Sequence, residues 1–326
     1  MLQPVSRAGD AEEQAPPGPR KYVFAASTGG HLAQLLRFAD SLDARPDSMW
    51  ITFENPQSVS MLQGRRVTFV PYIASRDYRG LLRALRPTRE VFQREQFDQV
   101  VSTGAGLALA VFPIARLAGI PRTYIESVSR VEGPSLTGRI VAGLHLAALY
   151  TQHAGWAGRR WHAHDSVLSL FRSVPNPEPP ATDRPLRVLT TLGTIQPFRF
   201  DSVIDGLLAT GAVGDDSIWQ VGATDRTGLP GTTHTQVAGD ELLRLAAEAD
   251  VVVTHAGVGS ILALLEAGIH PVVVPRRRSR REHVDDHQLQ IARLVDRLGV
   301  ATVAEATDLT EQHLRQAAAL RVVPAT

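Results

Sequence analysis

The chain has 326 residues, 44% of them hydrophobic, and a chain of this size can bury two medium-sized cores. Its 34 basic and 33 acidic side chains nearly cancel, so the composition gives no field that attracts nucleic acid, and we expect no nucleic-acid partner. The absence of cysteine excludes disulfides, thiolate catalysis and cysteine-bound metals, and it is compatible with a reducing cytoplasm.

The N-terminal residues 1–20 contain acidic and proline residues where a signal peptide requires a continuous apolar run. We therefore expect a disordered tail over residues 1–20. The longest apolar run, residues 140–150, is interrupted by Gly143 and His145 and is shorter than the ~20 residues of a spanning helix. The sequence thus predicts a cytoplasmic protein without a transmembrane helix.

Short apolar runs alternate with longer helical patterns across the first half of the chain. This alternation is typical of βαβ units with a parallel sheet. The predicted strands are residues 22–27, 49–54, 67–72, 99–104, 122–127 and 148–152. We assign residues 21–172 to an N-terminal Rossmann-like domain.

A proline-rich segment, residues 173–185, then interrupts the alternation and is interpreted as an interdomain linker, because proline continues neither helices nor strands. The alternation restarts beyond it, which predicts a second Rossmann-like domain over residues 186–326. Its predicted strands are residues 187–193, 217–222, 251–257, 271–277 and 301–306. The predicted fold class is α/β, with two doubly wound domains whose strand ends face a ligand-binding cleft.

A glycine-rich loop, residues 27–32, follows the first predicted strand and opens a helix. Gly29 and Gly30 allow backbone N–H groups to approach a phosphate at the helix N-terminus. One alternative is a tight turn capped by a solvated His31. Another is a dinucleotide site with Glu54 as the ribose ligand, but that site requires three glycines at fixed offsets and this loop lacks the third.

A second glycine-rich loop, residues 102–106, follows the fourth predicted strand. Two such loops in one domain favour a large phosphorylated ligand. The fifth strand leads into Glu126, which together with Arg130 is a candidate for hydroxyl recognition or acid–base chemistry. The alternative is a structural ion pair between Glu126 and Arg130.

The most specific pattern lies in the second half, where an apolar strand leads into His255, Gly257, Gly259 and Ser260. A strand, a glycine loop and a helix in this order form another anion-binding N-terminus, and Ser260 can donate to a phosphate oxygen. The occurrence of these residues together favours phosphate binding over a purely structural turn.

Histidine spacing offers one candidate for a metal site. His283 and His287 are four residues apart and can share a helix face, but the sequence shows no third ligand. We predict no metal and no cofactor.

Two arginine-rich segments are candidates for binding anionic surfaces or ligands. In residues 76–94 arginines alternate with apolar side chains around Pro87, a pattern that suits an anionic membrane surface and also a solvated helix packed on the sheet. The other segment, residues 276–281, is interpreted either as a site for an acidic sugar or lipid phosphate or as an exposed loop.

Taken in order, these motifs resemble the family 28-related glycosyltransferases. The matching segments are STGGHL (27–32), VVSTGAG (100–106), AGIP (118–121), YIES (124–127), LGT (192–194), HAGVGS (255–260) and EHVDDHQL (282–289). The likeness is strongest to bacterial exopolysaccharide glycosyltransferases made as two polypeptides, and to the two-subunit enzyme that adds the second N-acetylglucosamine to dolichol-linked oligosaccharide. This sequence resembles both subunits fused, with the acceptor half first. The peptidoglycan transferase that makes lipid II is a more distant relative.

The resemblance implies a GT-B fold and an inverting transfer from a UDP-sugar to a polyprenyl-diphosphate-linked glycan in exopolysaccharide or cell-surface polysaccharide synthesis. It is compatible with peripheral attachment to the inner face of the plasma membrane. His31 is the expected base, with Glu126 as the alternative. The expected acceptor contacts are Gly29, Gly30, Thr103, Gly104, Gly106 and Arg130. The implied donor contacts are Gly193, Thr194, His255, Ala256, Gly257, Gly259, Ser260, Glu266, His287 and Gln288.

One departure from the family pattern concerns an acidic residue. Ala263 occupies the position where the lipid II and dolichol enzymes commonly carry a carboxylate, and the acid here is Glu266, as in the exopolysaccharide group. The donor sugar, the linkage and the acceptor therefore stay open. The alternative functions are a non-catalytic GT-B recruiting partner and a UDP-sugar epimerase on the same fold.

Overall fold

The computed structural model describes residues 18–74, 77–194, 197–284 and 286–325. The chain divides into two compact units, unit 1 (Met1–Val167) and unit 2 (Leu168–Thr326). Of the predicted tail, residues 1–17 lie outside the described residues. Arg20, at its end, forms an isolated parallel bridge with Ala44.

Unit 1 is a parallel sheet whose strands alternate with helices. Its strands are β1 (Tyr22–Ala26), β2 (Met49–Phe53), β3 (Arg66–Val70), β4 (Gln99–Gly104), β5 (Arg122–Ile125), β6 (Ala148–Thr151) and β7 (His162–Ala163). Its helices are α1 (Gly30–Asp40), α2 (Pro56–Met61), α3 (Tyr78–Arg94), α4 (Gly106–Leu117) and α5 (Leu136–Gly143). The strand order is β3-β2-β1-β4-β5-β6-β7, and all of these pairs are parallel.

The centre of this sheet is apolar because the helices cover it. All five residues of β1 are buried, and β1 packs against α1 and α4. From β1 the chain runs outward to β2 and β3 and then returns to β4 on the other side of β1. A topological switch point, where α/β sheets bind ligands, therefore lies between the carboxyl ends of β1 and β4.

Unit 2 contains a second parallel sheet and a short antiparallel pair. Its strands are β8 (Phe171–Pro175), β9 (Val188–Thr191), β10 (Ile218–Gln220), β11 (Thr232–His234), β12 (Val251–His255), β13 (Val272–Val274), β14 (Thr302–Val303) and β15 (Leu320–Pro324). Its helices are α6 (Asp201–Ala209), α7 (Gly239–Glu248), α8 (Val258–Glu266), α9 (His287–Arg297) and α10 (Glu311–Ala318). The parallel order β11-β10-β9-β12-β13-β14 puts the switch point of this unit between β9 and β12.

The start of unit 2 differs from the predicted domain boundary. Phe171–Pro175, which the sequence analysis divided between the first domain and the linker, forms β8 and pairs with β15 near the C-terminus. Backbone hydrogen bonds to the last strand thus attach this segment to unit 2. Proline fits here because Pro175 stands at the end of the strand.

Among the helices of the described residues, none is both long and apolar enough to cross a bilayer.

Candidate functional site

In unit 1 the two glycine-rich loops lie side by side at the carboxyl ends of β1 and β4. His31 Nδ1 lies 2.8 Å from the backbone oxygen of Thr103, and Thr103 Oγ1 donates to the backbone oxygen of His31 over 2.7 Å. A carbonyl oxygen can only accept, so Nδ1 carries the proton and the lone pair of the neutral imidazole is on Nε2. The loops thus fix both the position and the tautomer of His31.

Gly104 is the glycine that this arrangement requires most. Its φ is +116°, a conformation that side chains disfavour. A Cβ at this position would lie 2.8 Å from the Tyr124 hydroxyl and 3.3 Å from His31 Cε1. The close approach of β4 to His31 therefore depends on the missing side chain.

Glu126 lies behind these loops and is held by protein donors. Its side chain is 1% exposed. Oε1 accepts from Tyr124 Oη at 3.2 Å and from Ser127 N at 3.1 Å, while Oε2 accepts from Ser135 N at 2.9 Å and Ser135 Oγ at 3.0 Å. Burial raises the pKa of Glu126 even though the hydrogen bonds from Ser135 and Ser127 oppose the shift. The carboxylate links the end of β5 to the N-terminus of α5.

Gln34 completes the polar layer under the first glycine loop. It is fully buried on α1, and Nε2 donates to Gly30 O at 2.8 Å and to Ser127 Oγ at 3.1 Å. Its Oε1 accepts from Val128 N at 2.9 Å and from Gln152 Nε2 at 2.8 Å. Sequence reasoning missed this residue, although a polar side chain within the apolar face of a helix was a visible signal.

Arg130 lies in the segment after Glu126, but the alternative of an ion pair between the two is wrong. Glu126 has hydroxyl and backbone N–H partners, and no salt bridge joins it to Arg130 within the described residues. The backbone of Arg130 is fixed by Ser127 O and by Trp156 Nε1, which donates to Arg130 O at 3.1 Å. The charge of Arg130 therefore acts on Glu126 only through space, where it lowers the pKa of the carboxyl against the effect of burial.

In unit 2 the predicted donor loop lies at the switch point between β9 and β12. Gly193 follows β9, and His255 and Gly257 lie at the end of β12, where α8 begins. A Cβ at Gly193 would lie 3.1 Å from His255 Nε2, and one at Gly257 would clash with the same atom. The structure therefore brings these three residues together around the imidazole, at the positive end of a helix.

His255 is neutral in this setting. It keeps some exposure, but the surrounding protein and then the positive charge of Arg276 lower the pKa of His255 to about 3. An uncharged imidazole can orient a ligand by hydrogen bonding, and it cannot serve as a cation at physiological pH.

Arg276, which the sequence analysis treated only as part of a basic segment, is buried beside this loop. Its side chain is 2% exposed, and Nη2 donates to Gly193 O at 3.3 Å. Burial lowers the pKa of Arg276 to about 10, although Glu282 opposes the shift. The interpretation of residues 276–281 as an exposed loop therefore fails for its first member, because Arg276 is buried two residues beyond the end of β13.

The predicted residues at the start of α9 have two kinds of partner. Gln288 is buried, and its Oε1 accepts from the backbone N–H of Arg276 at 3.1 Å. The His287 ring meets the His283 ring edge-on at 4.6 Å, and His283 stacks on Phe198 at 5.6 Å. Gln288 thus fixes the backbone of Arg276, and the two histidines form an aromatic group with Phe198.

Three of the other predicted donor residues lie at the start of α8, and one lies at its end. Ala256 is buried within the loop, and Gly259 and Ser260 lie in the first turn of the helix. Glu266 is the exposed last residue of α8, about 9 Å along the helix axis beyond Ser260. The structure therefore does not bring Glu266 to the loop. Thr194 is exposed next to residues 195–196, which are not described.

The described residues contain no group of three or more His, Asp or Glu side chains arranged to hold a metal ion. Two of the four arginines that follow Arg276 in the segment are paired with acids. Arg277 pairs with Glu305 at 2.6 Å, and Arg280 pairs with Glu282 at 3.1 Å.

The part of unit 2 that contains the loop of His255 and Gly257 is similar to a known protein family. Residues 232–321, which include β12, α8, Arg276 and α9, match the glycosyltransferase family 28 C-terminal domain. The chain is 27% identical over 323 residues to UDP-N-acetylglucosamine–N-acetylmuramyl-(pentapeptide) pyrophosphoryl-undecaprenol N-acetylglucosamine transferase of Synechococcus sp. (strain CC9311), an alignment that covers 91% of this chain and 86% of the relative. The chain is a glycosyltransferase.

A second relative and a solved structure extend the comparison. The enzyme of the same name from Paracidovorax citrulli (strain AAC00-1) is 26% identical over 322 residues, covering 90% of this chain and 87% of that protein. The crystal structure of Acinetobacter baumannii MurG superposes with a TM-score of 0.56 at 20% identity, covering 91% of this chain and 89% of that one. The glycosyltransferase therefore has the GT-B fold that its motifs implied.

Proposed function

We propose that this glycosyltransferase transfers a sugar from a UDP-sugar to a hydroxyl of a polyprenyl-diphosphate-linked glycan, with inversion at the anomeric carbon. The observation that carries the proposal is the cluster of Gly193, His255 and Gly257 at the N-terminus of α8 in unit 2. Backbone N–H groups at such an N-terminus stabilise a diphosphate without a metal. The Synechococcus relative is named for a UDP-N-acetylglucosamine donor, which supports the same ligand here.

The acceptor is assigned to unit 1. Its two glycine loops are joined by the bonds between His31 and Thr103, and they offer a second anion-binding edge at the start of α1. A lipid-linked diphosphate matches a surface with two such loops. The relatives support this choice, since their names specify a pyrophosphoryl-undecaprenol acceptor.

His31 is the proposed base. Nε2 takes the proton of the acceptor hydroxyl, whose oxygen forms the new bond to the anomeric carbon as the bond to the diphosphate breaks. The electron pair of the broken bond leaves with UDP, and the proton stays on the imidazolium. Thr103 O supports this role because it accepts from Nδ1 and holds the lone pair on Nε2.

Glu126 is better suited to positioning than to proton transfer. Four protein donors surround its two oxygens, and the side chain is buried. We assign it to holding the turn between β5 and α5 in place.

The nature of the glycan is the finer part of the proposal. The motif resemblance favours exopolysaccharide or another cell-surface polysaccharide, whereas the curated relatives carry the name of a peptidoglycan enzyme. The position of Glu266 at the far end of α8 weakens its use as a marker of either group. Both acceptors belong in the test.

The same proposal places the acceptor lipid at a membrane surface, with α3 as the contact. Tyr78 and Leu82 are exposed by 75% and 65%, and Arg79 and Arg83 are exposed on the same helix. Apolar side chains flanked by arginines suit an anionic bilayer surface. Arg76, which the sequence analysis included in this segment, lies outside the described residues.

The direct test incubates the purified chain with a panel of UDP-sugars and two acceptors, lipid I and a polyprenyl-diphosphate-linked hexose, and detects lipid products by mass spectrometry. Transfer to either acceptor supports the proposal and identifies the glycan class. UDP binding without transfer or hydrolysis would instead indicate the recruiting partner. Isomerisation of the UDP-sugar without acceptor would indicate the epimerase.

The base is tested with His31→Ala and His31→Gln. A general base typically contributes about 10²–10⁴-fold, so kcat should fall by that range while the affinity for UDP stays unchanged. His145→Asn is the control, because His145 is exposed and its φ of +50° suits asparagine. Turnover of His31→Ala near that of the wild type would rule out this assignment.

A further inference from the structure

Arg276 carries a buried charge that the protein leaves incompletely satisfied. Within the described residues it forms no ion pair, and its Nε has no hydrogen-bond partner. Its hydrogen bond to Gly193 O is long, at 3.3 Å. Burying a guanidinium in this way costs stability unless a partner completes it, so the arrangement points to a ligand that supplies the missing acceptors.

Glu282 is the carboxylate whose charge acts on Arg276, but it does not supply the missing acceptors. Glu282 accepts from Arg277 N at 2.9 Å and from Arg280 Nε at 3.1 Å, and it also accepts from the hydroxyl of Ser202. Glu282 therefore neutralises Arg280, and its charge influences Arg276 only through space.

The surrounding residues hold the guanidinium in one place. The backbone N–H of Arg276 is fixed by Gln288 Oε1, and its guanidinium carbon lies 5.3 Å from the centre of the buried Phe200 ring. Stacking on an aromatic ring orients the plane of the guanidinium without using its N–H groups. The donors thus stay available for an oxyanion.

The guanidinium is directed at the loop cluster of unit 2. A Cβ at Gly193 would lie 3.3 Å from Nη2 and 3.4 Å from Nη1 of Arg276, and 3.1 Å from His255 Nε2. Since a Cβ at Gly257 would also meet His255, the guanidinium, the neutral imidazole and the α8 N-terminus surround one position at the ends of β9, β12 and β13. Such a position suits an anion with several oxygens.

We infer that Arg276 binds the diphosphate of the nucleotide donor through its guanidinium and offsets the charge that develops as UDP departs. The inference rests on the proposed function, because it assigns a further residue to the same donor site. The α8 N-terminus favours the diphosphate over a carboxylate on the sugar, since the segments that contain Gly193 and Gly257 both present backbone to this position.

Binding of UDP, UMP and uridine to the full chain by isothermal titration calorimetry tests the inference. The variants are Arg276→Gln and Arg276→Lys, and the control is Arg278→Gln, which removes the same charge from an exposed residue of the same segment. Charged hydrogen bonds contribute enough that the UDP dissociation constant should rise at least about tenfold in Arg276→Gln. Uridine binding should stay within about twofold, and the lysine variant should retain part of the affinity for UDP.

Thermal unfolding without ligand separates this role from a structural one. Removing an uncompensated buried charge should leave the melting temperature unchanged or higher, while the stabilisation by UDP is lost. A lower melting temperature with unchanged UDP affinity would overturn the inference. A loss of affinity for UDP-glucuronate with unchanged affinity for UDP would also overturn the inference, because it would assign Arg276 to a sugar carboxylate. A wild-type chain that does not bind UDP would refute the proposed function itself, and the inference with it.

Discussion

Replacing Glu126 by glutamine is expected to destabilise unit 1 without removing catalysis. The amide has the shape of the carboxylate, but one of its ends donates. Oε1 of Glu126 faces Ser127 N–H and Oε2 faces Ser135 N–H, at 3.1 and 2.9 Å. A hydroxyl can rotate and accept from the new NH2 group, whereas a backbone N–H cannot. Either orientation of the amide therefore leaves one buried N–H opposed by another donor.

The magnitude follows from that one unsatisfied donor. An unpaired buried N–H costs about 1–3 kcal/mol, which is the expected loss in unfolding free energy at pH 7. Burial raises the pKa of Glu126, so the stability that this group contributes is fully present below the unfolded-state value of about 4.3 and is lost as pH rises through the folded-state pKa. The difference between wild type and Glu126→Gln should therefore shrink as pH rises from 4.5 to 8.

The assay is urea unfolding at several pH values, followed by tryptophan fluorescence. Trp161 is a suitable reporter because its ring lies 6.0 Å from Tyr124, which donates to Glu126. Steady-state turnover at pH 7 is measured on the same samples, and kcat should stay within about tenfold of wild type, below the range of a lost general base. A difference that grows with pH would refute the electrostatic reasoning. A loss of 100-fold or more in kcat at unchanged stability would make Glu126 the base.

Two further predictions concern an ion pair and the α3 surface. Burial raises the pKa of Asp250, but hydrogen bonds from Arg184 and Arg187 outweigh it and hold the pKa well below its usual range. Asp250→Asn should thus lower the free energy of unfolding by about 1 kcal/mol from pH 5 to 8. The loss should become smaller below about pH 4, where protonation of Asp250 removes this stability from the wild type as well. A loss that already becomes smaller near pH 7 would contradict this reasoning. Leu82→Glu should lower sedimentation with anionic phospholipid vesicles by at least about tenfold, since a buried leucine contributes about 1.5–3 kcal/mol. Val59→Glu, on an exposed face of α2, is the control, and equal losses in both variants would exclude α3 as the specific contact.

The local order of the chain could be predicted from sequence because it depends on neighbours along the chain. Apolar runs bounded by glycine and proline located β1 to β6 within two residues of their observed ends. The loops after β1, β4 and β12 were found in the same way, since a glycine between a strand and a helix is a local signal. Parallel strands then bring those loops to one edge of each sheet.

The burial and partners of individual side chains were decided only by the tertiary structure. Gln34 is polar in sequence and fully buried in the fold, because its partners Ser127 and Gln152 come from segments about a hundred residues away. In the same way, the sequence analysis divided β8 between the first domain and the proline-rich linker, because its partner strand lies at the other end of unit 2.

The arginines after β13 show the same limit within a single run of sequence. Arg276, Arg277 and Arg280 are chemically equal, yet the fold buries the first against Phe200 and Gly193 and pairs the other two with acids. The sequence alone determined that strands, glycine loops and basic residues would occur in this order. Only the three-dimensional approach of distant strands decided which charge has no acid to neutralise it, because burial and electrostatic pairing depend on distance in space and not along the chain.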